Sequence, residues 1–265
     1  MVEYIHGAGA EEVERLEKQA RFASRFLLDG VDAGPGARVL DLPVGTGAMA
    51  RRLRARLPDV KVFGTDLSRG QLAAARSFMR REHDFFPLVN SDAVALPFRD
   101  GTFDLINSSW FLEHVPPAAV LPILREMRRV LAPGGRAWMC EVENASLAFW
   151  PRLPLTERCF AALWEAQDRG GGDAIVGRKL YGLLAAAGFS RVETLPNTLH
   201  THAGSPAGMF RGSLVEFAEI LAGAKAALPA ELQPRALEAA QALLDIEHVP
   251  GASFTYTCIR ACADR

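Results

Sequence analysis

The stretch Val39-Leu40-Asp41-Leu42-Pro43-Val44-Gly45-Thr46-Gly47 constrains the fold more than any other part of the chain. A short apolar run enters a loop with two glycines, and Ala48 to Leu57 then has helical character up to Pro58. A buried strand that turns through glycines into a helix forms the ligand-binding corner of an open α/β sheet, at the carboxyl ends of its strands. The segments that follow keep the same alternation. Val60 to Thr65 predicts a second strand that ends at Asp66, and Ser68 precedes a helix from Arg69 to about Arg81. Further strands are expected over Leu88 to Asn90, Phe103 to Asn107 and Ala137 to Val142, with a helix over Pro117 to Leu131 stopped by Pro133-Gly134-Gly135. Phe189 to Leu195 and Ser253 to Ala261 supply the last two strands. Strands in alternation with helices predict a mainly parallel sheet covered on both faces, which is why the strands are continuously apolar.

Composition removes several classes of function. Hydrophobic residues make up 49% of the 265 residues and charged residues 23%, the balance of a globular protein. Lys plus Arg is 30 against 31 for Asp plus Glu, so no nucleic-acid partner is expected. The N-terminus lacks a basic start followed by an apolar core, and the apolar window Leu214 to Leu228 is broken by Glu216, Glu219 and Lys225. Neither a secretory leader nor a membrane span is therefore expected. The four cysteines are too few for a disulfide scaffold and predict reduced thiols in the cytoplasm. His200-Thr201-His202 lacks a third ligand at convincing spacing, so no metal is expected.

The organisation expected from these signals starts with an N-terminal helical segment (1–36), amphipathic over Glu11 to Leu28. An α/β core (37–143) follows, then a helical cap insertion (144–175) that ends in the flexible turn Gly170-Gly171-Gly172. The core resumes over 176–195, a second helical insertion spans 196–250, and 251–265 holds the final strand.

Two cofactor classes use a glycine loop of this kind. Gly45-Thr46-Gly47-Ala48-Met49-Ala50 fits the dinucleotide pattern G-x-G-x-x-A. Asp41 argues against that reading. A carboxylate at the strand end, facing the cofactor, repels a pyrophosphate and attracts an ammonium and a sulfonium. Asp66, at the end of the second strand, can hold ribose hydroxyls, and Asp92 after the third can accept from an adenine amine.

The motifs VLDLPVGTG, VFGTDLS, NSDAVALPF, GTFDLINSSWFLEHV and RVLAPGG, in that order, resemble the class I S-adenosylmethionine-dependent methyltransferases. The likeness is to the ubiquinone/menaquinone C-methyltransferase-like group and covers roughly Arg38 to Val142 plus the last two strands. The resemblance implies a Rossmann-like, doubly wound, seven-stranded and mostly parallel sheet with helical cap insertions. It implies S-adenosylmethionine as cofactor, with Asp41, Pro43, Gly45 and Gly47 around its methionine part and Leu42, Thr46 and Gln71 also among the cofactor-binding residues. Asp66 and Leu67 would take the ribose, Asp92 and Ala93 the adenine, and Asn107 and Ser108 the methyl-donor channel. Pro43 departs from the family's usual glycine; it stiffens the loop and removes an N–H but keeps its carbonyl.

Methyl transfer to a small or medium organic acceptor is the expected activity. His114, and one of His200 and His202, are candidate bases; Tyr4 is a candidate lid over the cofactor. Trp110, Phe111, Trp150, Phe160, Trp164 and Phe210 are candidates for an apolar acceptor wall. A nicotinamide-dependent oxidoreductase and a catalytically silent cofactor-binding protein stay open as alternatives, and the chain is expected to be a monomer or a homodimer.

Overall fold

Val39 and Leu40 are fully buried because the strand that holds them, β1 (Arg38–Asp41), is flanked on both sides by parallel neighbours. Those neighbours are β2 (Lys61–Asp66) and β4 (Phe103–Ser109), while β3 (Leu88–Asn90) adds to the outer side of β2. The computed structural model describes residues 10–265, with side chains from residue 17 onward. Tyr4 therefore lies outside the described residues. On the other side of β4 runs β5 (Leu131–Val142), also parallel. Two antiparallel strands complete that edge: β8 (Ser253–Asp264) pairs with β5, and β7 (Ser190–His202) pairs with β8. The strand order reverses between β1 and β4, so the crevice above their carboxyl ends is the switch point where such sheets bind ligands.

Among the described residues the sheet has eight strands, one more than the seven expected. The extra strand, β6 (Ala148–Trp150), lies within the stretch expected to be helical and pairs antiparallel with β8 beyond the end of β5. A second difference has more consequence. β7 does not stop at Leu195 but runs on to His202, through Pro196, so the helical insertion starts after His202. Proline lacks an N–H for the ladder and is tolerated on an edge strand, which is where β7 sits.

Helices precede β1 and occupy the segments between the strands. They are α1 (Ala10–Leu27), α2 (Ala48–Arg56), α3 (Arg69–Glu82), α4 (Pro117–Val130), α5 (Pro154–Arg169), α6 (Leu180–Ala186), α7 (Met209–Gly223) and α8 (Ala236–Asp245). Ser68 caps α3 by accepting from the Gln71 N–H at 3.3 Å. The helices of the two insertions, α5, α7 and α8, pack on one another around Phe160, Phe210, Leu214 and Leu243. This apolar body sits beside the sheet and forms one wall of a large cavity. Among the described residues no helix is long and apolar enough to cross a membrane.

Candidate active site

The loop after β1 is held in place by backbone hydrogen bonds: Leu42 N–H donates to Asn107 O at 3.0 Å, and Val44 N–H to Thr65 O at 2.8 Å. Gly64 permits this approach, since a Cβ there would lie 2.5 Å from Val44 Cγ2. Gly45 and Gly47 have φ of +51° and +77°, the left-handed region in which glycine has no steric penalty.

Asp66 ties the loop to the second strand. Its Oδ2 accepts from Gly45 N–H at 2.9 Å and its Oδ1 from Ser68 N–H at 2.8 Å. Burial raises its pKa above the ordinary carboxyl value, against the lowering effect of those backbone donors. Each oxygen retains a second lone pair for a ligand hydroxyl.

Above this loop lies a cavity of about 1630 Å³. Leu42, Pro43, Gly45, Thr46, Asp66, Leu67, Gln71, Asp92, Ala93 and His114 all line it, so ten residues singled out from sequence converge on one space. Among the proposed wall residues, Trp110, Phe111 and Trp164 also line it. Trp110 has φ of +53°, a strained conformation for a bulky residue of the kind that gathers at ligand sites. Phe160 and Phe210 instead pack in the helical body, and Trp150 is exposed and outside the cavity.

The structure separates other candidates from the cavity. Asp41 does not face it. It is buried beneath the loop, where Asn107 Nδ2 donates to its Oδ1 at 2.7 Å, and Oδ2 has no partner. Burial pushes its carboxyl up to about 7, opposed by the Asn107 hydrogen bond and reinforced by the nearby Asp66 charge. The electrostatic preference expected of Asp41 therefore falls to Asp66 and Asp92, which do line the space. Asn107 and Ser108 are fully buried within β4 and contribute no cavity surface; the next residue, Ser109, does. Gly47 is buried at the start of α2, away from the cavity.

His200 and His202 are corrections of the same kind. Alternation along β7 turns Asn197 and Leu199 to the cavity and sends His200 and His202 to the opposite, exposed face. His200 Nδ1 there meets Thr255 Oγ1 at 2.7 Å, and His202 Nδ1 accepts from Gly204 N–H at 3.1 Å. Among the described residues no three His, Cys, Asp or Glu side chains gather as a metal site.

Sequence reasoning missed the roof and the far end of the cavity. Phe22 and Phe26 of α1 and Phe217 and Ile220 of α7 supply apolar wall, and Gln19 Nε2 donates to Glu216 Oε1 at 2.6 Å to join the two helices. Glu17 pairs with Arg51 and accepts from Thr46 Oγ1, fastening α1 over the glycine loop. The far end holds Glu113, Asn144, Gln167 and Tyr256. Glu141 lies behind it, and both its oxygens accept from the Phe111 and Leu112 N–H groups, fixing the turn that carries Glu113 and His114.

The arrangement is that of an α/β protein in which one cavity joins a polar end, beside the glycine loop, to an apolar compartment. Gln71 Oε1 and Ser109 Oγ, both at the cavity wall, are buried without a partner, and Asp66 and Asp92 add acceptors. That donor and acceptor set fits an adenosyl amino acid. Residues 39–135 match the methyltransferase domain family. The chain is 42% identical over 123 residues to a demethylmenaquinone methyltransferase of Beutenbergia cavernae, covering 46% of this chain and 47% of that one. The fold is similar to that of geranyl diphosphate C-methyltransferase from Streptomyces coelicolor, solved with S-adenosyl-L-homocysteine (TM-score 0.57, 15% identity, 96% of this chain and 83% of that one). It is also similar to that of the [4+2]-cyclase SpnF (TM-score 0.58, 22% identity, 93% of this chain and 81% of that one). The chain spans about half the length of the curated relatives it matches. The family match spans the glycine loop, so the loop is similar to that of methyltransferases.

Proposed function

We propose that the protein transfers a methyl group from S-adenosylmethionine to a small or medium, largely apolar organic acceptor enclosed between the sheet and the insertion helices. One observation carries this reading: the nucleoside end and the apolar compartment form a single cavity of about 1630 Å³. A pocket for one small ligand usually measures about 300–1,000 Å³, so this space suits a cofactor and an acceptor side by side.

Asp66 would hold the ribose hydroxyls, with Gln71 Oε1 as a further acceptor, and Asp92 and Ala93 would border the adenine. Leu42, Pro43, Gly45 and Thr46 would surround the methionine part. When bound, the cofactor supplies a methyl group already activated on a sulfonium. The protein's share is mainly alignment, worth about 7–11 kcal/mol when the reacting groups are held in line. Trp110, Phe111, Trp164 and Phe217 would exclude water and orient an apolar body, and His114 would take a proton from the acceptor. The acceptors named for the relatives, a demethylmenaquinone and geranyl diphosphate, are apolar molecules with a polar end, which is consistent with such walls.

The test is incubation of the protein with methyl-labelled S-adenosylmethionine and an extract of its source cells. Label in a small organic product supports the proposal. Tight cofactor binding with no transferred label contradicts it and favours the silent-binder reading.

A further inference from the structure

A directional chain of hydrogen bonds runs along the far end of the cavity. Tyr256 O–H donates to Asn144 Oδ1 at 2.8 Å, Asn144 Nδ2 donates to Gln167 Oε1 at 3.4 Å, and Gln167 Nε2 donates to Glu113 Oε2 at 2.7 Å. All four side chains are buried. Every donor points the same way, so the chain ends on an acceptor, the Glu113 carboxylate. Its other oxygen, Oε1, lies 3.6 Å from His114 Nε2, an ion-pair distance rather than a hydrogen bond. Catalytic contacts of this kind often tighten only when substrate is bound.

The backbone around the pair is fixed. Glu113 O accepts from Asp173 N–H at 2.9 Å and from Gln167 Nε2 at 3.3 Å, while Glu141 anchors the start of the turn. A carboxylate in an apolar wall is costly unless paired.

We propose that Glu113 is a positioning residue for His114, held in place by the Gln167–Asn144–Tyr256 chain. The inference rests on the reading above of His114 as the base. Glu113 keeps the imidazole hydrogen on Nε2 and opposes the positive charge that grows as the ring accepts a proton, as orienting carboxylates do beside catalytic imidazoles. In the step it serves, the acceptor's proton passes to the imidazole. The acceptor's electron pair forms the bond to the methyl carbon, and the pair of the broken S–C bond stays on sulfur.

The test uses the full chain labelled with nitrogen-15 histidine and saturated with S-adenosylhomocysteine. Two-bond proton–nitrogen spectra report which ring nitrogen of His114 holds the hydrogen. The wild type should show Nε2–H. In Glu113→Gln the Gln167 amide still donates to the new amide oxygen, which turns the new NH2 toward Nε2; the hydrogen should move to Nδ1. The double variant Glu113→Gln with Gln167→Glu should restore Nε2–H, because a carboxylate at 167 draws the NH2 to itself and turns the amide oxygen toward His114. Glu113→Asp, which keeps the charge but retracts it, should give a mixture. An unchanged tautomer in Glu113→Gln or Glu113→Asp, or no restoration in the double variant, overturns the proposal. Cofactor affinity and label transfer in the wild type are separate readouts, so a failed methyltransferase reading is told apart from a failed positioning role.

Discussion

Asp66 is where the local backbone and the cavity meet. One carboxylate receives N–H groups from the glycine loop and from the cap of α3, and still presents lone pairs to the cavity. Asp66→Asn keeps one acceptor oxygen, enough for Ser68 or Gly45 but not both, so the overall fold should persist while the tie to the glycine loop or to the α3 cap is lost. It removes the charge, and a hydrogen bond to a charged group is worth about 1.5–3 kcal/mol, so cofactor affinity should fall roughly 10- to 100-fold in calorimetry. Unchanged affinity would take Asp66 out of the site. The place of Asp66 at the cavity is legible in the sequence because it depends on a strand end, a local feature. Asp41 shows the limit: its place at a strand end was legible, but the direction of its side chain depends on Asn107, 66 residues away, which turns it under the loop.

At the scale of elements, glycines separate packing from flexibility. Gly170-Gly171-Gly172 reads as a flexible turn in sequence, yet a Cβ on Gly172 would stand 2.4 Å from Glu113 O. Gly172→Ala must displace the turn that carries Glu113 and His114. Overpacking of this kind costs about 1–3 kcal/mol, to be seen as a lower midpoint in denaturant. Gly182 is the contrasting case, a helical glycine of α6 where an added Cβ would meet nothing within 4 Å. Gly182→Ala should stabilise by up to about 1 kcal/mol in the same measurement. Equal effects at both sites would mean that close packing at Gly172 is not what selects glycine. The strand–loop–helix unit of β1 and α2 was readable because its signals are contiguous. Pro196 reads as a breaker and so ends the expected strand short of β7's true end, which puts the two histidines in a helical cap. The Glu113 chain joins residues 54 and 112 positions apart, a distance no local pattern spans.

For the whole molecule, two buried carboxyls set the response to pH. Burial pushes Asp41 up to about 7 from 3.8 and Glu141 up to about 8 from 4.5. The folded chain therefore retains protons that the unfolded chain releases, and the unfolded state binds fewer of them between those values. The contribution of these two groups is full below about pH 4 and is lost as pH rises through 7 to 8. Asp41→Asn should flatten this decline in denaturant titrations of the cofactor-free protein between pH 5 and 8, and an unaltered slope would contradict the assignment. The same buried arrangement leaves Asp66 and Asp92, rather than Asp41, among the acids that line the cavity, and the proposed function depends on what that cavity accepts. Calorimetric titration with S-adenosylhomocysteine and, separately, with NAD measures this directly. Saturable binding of the adenosyl-sulfur compound with no binding of NAD is the expected result; binding of NAD with no response to S-adenosylhomocysteine would contradict it.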